Sequence, residues 1–287
     1  MTATATPPAT ADRRKRPARQ RAGSLLRGIG IALVTLIFVL PLVWMLSASF
    51  KTTLQIIDPQ YMFNFTPTLG NFVTVFEAQD FGQFILNSSI VGVGSTLVAL
   101  LLGVPAAYGI ARYRIKQATT FVLLARVIPG VSLLVPWYFL FSQMRMVGTY
   151  GVLILTHIFV TMPLVIAIMS GFFEGLPEEL EESGLIDGCS RFTAFLRITL
   201  PLSIPGIATS TILSFIFSWN NFLFALVLSN RATRTLPVAI SNFTSYASVD
   251  WGGLMAAAVV ITVPVMIIAL FAQRYVVSGL TAGATKG

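Results

Sequence analysis

Apolar residues along the chain fall in long unbroken runs, without the alternation of strands or the narrow stripe of a surface helix. Six runs stand out: Gly28 to Phe50, Ile85 to Ala111, Thr119 to Phe141, Tyr150 to Phe173, Leu202 to Leu228 and Gly253 to Val277. Each exceeds or approaches the roughly 20 residues that a helix needs to cross a bilayer. A helix satisfies its own backbone polar groups in lipid, so the pattern predicts an all-α membrane protein with six transmembrane helices. Pro41, Pro105, Pro129, Pro136, Pro163 and Pro264 fall inside or near the ends of these runs. They predict kinks or unwound turns rather than a different number of spans.

Composition agrees. The 287 residues are 55% hydrophobic and only 10% charged, against about 25% charged in ordinary soluble domains. The first run is longer than the core of a cleaved signal peptide, so it reads as an uncleaved span. The single cysteine, Cys189, allows no internal disulfide and no metal cluster. The single histidine, His157, lies in an apolar run and reads as a packed or hydrogen-bonded residue.

Charge orients the spans. The net charge is +8. Arg13, Arg14, Lys15, Arg16, Arg19, Arg21 and Arg27 precede or open the first run, with no interleaved aromatics. They read as a membrane-proximal anchor rather than a nucleic-acid surface. Arg112, Arg114, Lys116, Arg191, Arg197, Arg274 and Lys286 fall on the same side, whereas only Lys51, Arg145, Arg231 and Arg234 fall opposite. The positive-inside rule then places both termini in the cytosol. This divides the chain into a basic, largely disordered leader (1–27), a six-helix domain (28–278) and a short cytosolic tail (279–287). The segment Lys51 to Phe84 is rich in aromatics and predicts short interfacial helices at the outer mouth.

The loop between the fourth and fifth runs, 174–201, breaks the apolar pattern. It carries Glu174, Glu178, Glu179, Glu181, Glu182 and Asp187 against Arg191 and Arg197. Pro177 suits a first helical position, and the following Glu residues complement a helix dipole. Leu180, Ser183 and Gly184 share a small face. Asp187 reads as the cap of a second helix and Gly188 as the turn before it. Phe192, Phe195, Leu196 and Thr199 recur at helical spacing on that second helix. Pro201 and Pro205 mark the return to the membrane. The alternative is an amphipathic hairpin on lipid, but such hairpins are usually basic. The net negative charge favours a preorganised docking element for a partner protein.

The stretch "EESGLIDGCSRFTAFLRITLP" resembles the cytoplasmic EAA loop of ATP-binding-cassette importer permeases. Glu182, Ser183 and Gly184 stand for E-A-A, and Gly188, Ile198, Leu200 and Pro201 fall at the matching spacing. Ser183-Gly184 departs from two alanines, although both residues are small. "NSSIVG" at Asn87, "AAYGIAR" at Ala106, "IPGVSLLVP" at Ile128, "SWNNFLFAL" at Ser218 and "GLTAGATKG" at the C-terminus extend the likeness to the carbohydrate-uptake, maltose-permease-like branch. The resemblance implies a type I importer permease fold in the inner membrane of a prokaryote. It implies pairing with a second permease, docking to two copies of an ATPase subunit and delivery of sugar by an extracytoplasmic binding protein. The motif places Glu182, Ser183, Gly184, Gly188, Ile198 and Pro201 in the ATPase-coupling loop, and the helix starts and apolar face read above add Glu178, Asp187, Phe192 and Phe195 to it.

No phosphate-loop motif G-x-x-x-x-G-K-[ST] occurs. The expectation is a transporter subunit rather than an enzyme, with no cofactor of its own; ATP and Mg would be bound by the partner ATPases. Arg126, Trp219, Asn220 and Asn221 are candidates for a translocation cavity. For Arg126 the alternative is snorkelling to the surface. For Trp219, Asn220 and Asn221 it is interhelical hydrogen bonding. Rival readings keep the architecture but change the cargo to a polyol, glycerol phosphate or other small solute, or dispense with ATP altogether.

Overall fold

The computed structural model describes residues 18–244 and 248–284. Arg13, Arg14, Lys15, Arg16 and Lys286 lie outside the described residues, as do the rest of residues 1–17 of the expected disordered start and the last three residues of the tail. The chain forms two compact units, Met1–Ser47 and Ala48–Gly287.

The principal helices are α1 (Ala18–Ser49), α2 (Phe81–Arg112), α3 (Lys116–Val127), α4 (Gly130–Gln143) and α5 (Tyr150–Gly175). They are followed by α6 (Glu179–Ile186), α7 (Arg191–Leu202), α8 (Ile204–Trp219), α9 (Leu223–Leu228) and α10 (Trp251–Ala284). Helix α1 begins ten residues before the first apolar run. "ARQRAGSLLR" contains mostly good helix formers, so the basic end continues the helix instead of forming a separate leader. Helix α10 likewise runs through Ala284 into the expected tail.

Four helical stretches are long and apolar enough to cross a membrane: Arg27–Ser49, Phe81–Arg112, Tyr150–Gly175 and Trp251–Phe271. The third expected span is a bent pair, and the fifth is entered through another whose first arm, Arg191–Leu202, belongs to the expected loop. Thr120–Val127 meets Gly130–Gln143 at 86°, and Arg191–Leu202 meets Ile204–Trp219 at 74°. The described residues therefore hold four spans, or six if each bent pair counts as one. The fifth run is interrupted again after Trp219, where Asn220 to Phe222 separate α8 from α9. Pro41, Pro105, Pro136, Pro163 and Pro264 sit inside continuous helices; only Pro129 stands at a sharp break.

Small residues let α2 and its neighbours approach closely, the usual means of helix packing in lipid. A methyl added at Gly92 would lie 3.0 Å from the Phe215 ring of α8. One added at Gly103 would lie 2.9 Å from Val165 of α5. A buried polar seam crosses the same three helices. Ser95 Oγ donates to Ser218 Oγ at 2.9 Å, and His157 Nδ1 lies 2.7 Å from that oxygen. His157 is thus a hydrogen-bonded core residue.

At one end of Ala48–Gly287 the aromatic segment folds into short helical turns, Thr53–Ile57, Pro59–Tyr61 and Gly70–Val73. Its centre is buried Lys51, whose Nζ donates to the carbonyls of Tyr61 and Met62 at 3.1 and 2.8 Å and stands over the Phe65 ring. The acidic helix α6 lies at the far end of α5 from Tyr150.

Candidate functional site

The acidic loop folds as two helical pieces around a corner. Helix α6 starts at Glu179, not at Pro177, which precedes it in an unassigned stretch. It ends in a Schellman motif: the Cys189 N–H donates to the Gly184 carbonyl at 3.0 Å and the Gly188 N–H to that of Leu185 at 3.1 Å. Gly188 has φ of +89°, the left-handed conformation that a residue without Cβ adopts at no steric cost.

Asp187 closes α6 rather than opening the next helix. The cap of α7 is Ser190, whose Oγ accepts from the Thr193 N–H at 3.2 Å. Helix α7 then contains a π-turn over Phe195–Thr199. The face expected from spacing is split. Phe192 is 70% exposed, whereas Phe195 is 6% exposed. Phe195 packs 4.5 Å from the Tyr108 ring of α2 and 6.4 Å from Phe173 of α5, measured between ring centroids. Phe195 is therefore part of the core and is withdrawn from the docking surface.

Of the two small residues expected to serve close packing, only Gly184 does; Ser183 is exposed and its Oγ donates to the Leu180 carbonyl. A Cβ on Gly184 would collide with Ile198 Cδ1. Glu178, Glu182, Ser183, Asp187 and Pro201 are exposed, and Ile198 is half-buried. Ile186, passed over by sequence reasoning, is 86% exposed at the tip of α6. With Phe192, which is 70% exposed, it flanks the Gly188 corner in sequence as the loop's apolar tip, and Glu182, Asp187 and Arg191 nearby in the chain are also exposed.

Sequence reasoning also missed Glu181. Its side chain is buried, accepts from Arg112 Nε at 2.8 Å and is hydrogen-bonded by Tyr108 Oη. Thr199 Oγ1 lies 3.5 Å from the same carboxylate. Breaking one partner of such a buried pair costs about 3–5 kcal/mol. The neighbouring pair, Arg114 with Glu178 at 3.2 Å, is 79% and 53% exposed. Exposed pairs contribute only about 0–1 kcal/mol.

A second site opens where both bent spans meet α5. A cavity of about 650 Å³ is lined by Arg126, Asn220 and Asn221 together with Phe159, Pro163, Phe217 and Phe224. Among the described residues Arg126 is its only ionisable lining residue. The break that bends α3 against α4 exposes Arg126, and the break after α8 presents the two amides. Asn220 Nδ2 donates to the Ile216 carbonyl, while Asn221 Oδ1 accepts from the Phe224 N–H that opens α9. Trp219 does not join them. It is buried, and its Nε1 donates to the Ile261 carbonyl of α10 at 3.2 Å, the interhelical alternative. Among the described residues no cluster of His, Cys, Asp and Glu is arranged to hold a metal ion.

Residues 99–282 match the family described as binding-protein-dependent transport system inner membrane component. The chain is 36% identical over 270 residues to a sulfoquinovosyl glycerol transport system permease protein of Agrobacterium fabrum, covering 92% of this chain and 95% of the relative. It is 36% identical over 254 residues to a trehalose transport system permease protein of Mycobacterium tuberculosis, covering 86% and 92%. Among solved structures, a bacterial ABC transporter involved in the import of the acidic polysaccharide alginate superposes with a TM-score of 0.73 at 17% identity, covering 91% of this chain and 99% of that one. That likeness concerns the fold.

Proposed function

Because the chain belongs to the family of binding-protein-dependent transport system inner membrane components, we propose that it is the transmembrane permease subunit of an ATP-driven sugar importer. The relatives named above are permeases of sulfoquinovosyl glycerol and trehalose transport systems, which supports a carbohydrate cargo. In this reading a second permease completes the translocation path, two ATPase copies dock on the cytosolic side and an extracytoplasmic binding protein delivers the sugar. Both termini and the acidic loop face the cytosol.

The observation that carries the reading is the Gly188 corner. It is rigid, with its backbone groups satisfied by the Schellman bonds, yet it presents Ile186 and Phe192 to the outside. An apolar tip with a charged rim suits insertion into a cleft of a partner protein. Closure of the ATPase pair on ATP would then move the tip, and the spans would alternate between outward-open and inward-open states. ATP shifts that equilibrium only through its differential affinity for the two states. Arg126, Asn220 and Asn221 would face the solute.

A phosphate-bearing solute such as glycerol phosphate is the second reading, favoured by the cation Arg126 in the cavity. The test is reconstitution of the chain with its second permease, ATPase pair and binding protein in liposomes, offered a panel of labelled sugars, polyols and glycerol phosphate. ATP-dependent accumulation of a sugar, lost in I186E and F192E together with ATPase co-purification, is the expected result. Uptake that persists without the ATPase would overturn it.

A further inference from the structure

Besides its continuation through Gly188 into α7, α6 is attached to the helical bundle in two ways, and they differ in stiffness. Along the backbone, α5 ends at Gly175 and three non-helical residues, Leu176, Pro177 and Glu178, lead into α6. The cap Leu176 is extended, with φ −82° and ψ 132°. Such a linker transmits little torque.

Through space, Glu181 on the second turn-forming position of α6 reaches Arg112 and Tyr108 at the end of α2, 69 and 73 residues earlier in the chain. The Arg112 and Glu181 side chains are 11% and 9% exposed. The same Tyr108 ring packs on Phe195 of α7 and, at 5.7 Å, on Phe173 of α5. Four helices are thus fastened at one polar knot with an aromatic surround.

We infer that Glu181, Arg112 and Tyr108 form the mechanical link through which movement of the Gly188 corner enters α2, making α6 a rigid extension of a helix to which it is not joined in sequence. The inference rests on the importer reading above and adds the path of force within the subunit. Separating the pair would strand a buried charge, so α6 and α2 move together and the bending falls on the Leu176–Glu178 linker. The exposed Arg114–Glu178 pair is too weak to substitute. Glu181, Arg112 and Tyr108 are positioning residues: they touch neither solute nor nucleotide.

A link and a mere stability element differ in one readout, the amount of solute moved per ATP hydrolysed. We would measure ATPase co-purification, binding-protein-stimulated ATP hydrolysis and uptake for E181Q, R112Q, Y108F and the exchanged pair E181R/R112E in the reconstituted complex. The expected result is that uptake per ATP falls on the order of tenfold in E181Q and R112Q, the scale of one lost charge-assisted hydrogen bond. A smaller fall is expected in Y108F, with partial recovery in the exchange.

An unchanged ratio in E181Q and R112Q would overturn the inference. So would assembly and uptake falling in parallel across the series, including the mild Y108F, because that assigns the knot to stability alone. The importer reading fails separately, if the unaltered chain neither retains the ATPase nor accumulates solute.

Discussion

Two glycines in the acidic loop are small for different reasons, and substitution separates them. At Gly188 an added Cβ meets nothing within 4 Å, but φ is +89°. Gly188→Ala therefore carries a backbone cost alone, about 1–2 kcal/mol, visible as a lowered melting temperature of the purified complex. At Gly184 the backbone is helical and the obstacle is Ile198 Cδ1, the flexible end of a side chain. Overpacking costs about 1–3 kcal/mol, while replacing glycine by alanine in a helix regains about 0.5–1 kcal/mol. Gly184→Ala should thus lie within about 2 kcal/mol of the parent, and Gly184→Leu, which cannot be met by one rotamer change, should prevent ATPase co-purification. Both glycines were legible, one from its turn and one from its spacing. Glu181 was not, because what distinguishes it from four neighbouring acids is a pair of partners on α2 that no local pattern reveals.

At the scale of elements, the apolar runs were enough to locate every long helix, because burial in lipid imposes one solution on the backbone. They could not show which proline breaks a helix. Pro105 and Pro163 leave their helices continuous, and Pro129 marks an 86° bend. Beside the break, Gly130 lets the Phe224 ring approach to 3.3 Å from where a Cβ would stand, a contact that arises only after folding. The face of α7 was misread because its sorting is tertiary: the rings of Tyr108 and Phe173, brought by α2 and α5, draw Phe195 into the core and leave Phe192 outside. The break between α8 and α9 separates two roles for adjacent amides. Asn221 Oδ1 caps the Phe224 N–H, and Asn221→Ala leaves that donor unpaired at a cost of about 1–3 kcal/mol. Asn220 is exposed to the cavity and bonds only a helical carbonyl that is already paired within α8. Asn220→Ala should leave thermal stability unchanged and raise the solute concentration needed for half-maximal uptake, whereas Asn221→Ala should lower stability first. The pair of melting curves and uptake curves decides whether the amides face the solute.

For the whole molecule, function depends on direction: the bundle has two dissimilar ends, and the charge bias predicts that the acidic one faces the cytosol. The chain carries its own reporter of that assignment. Cys189 is the only cysteine, it follows Gly188 in the corner between α6 and α7, and it is a free, half-buried residue. A membrane-impermeant maleimide should leave Cys189 unlabelled in intact cells and label it in inside-out vesicles stripped of ATPase. Rebinding the ATPase should then slow the labelling, because Ile186 and Phe192, which flank Cys189, would be covered. Labelling of intact cells would reverse the orientation and with it the coupling of cytosolic ATP to this loop. Protection that fails to appear on rebinding, with orientation as expected, would instead move the docking contact away from the corner and leave the topology standing.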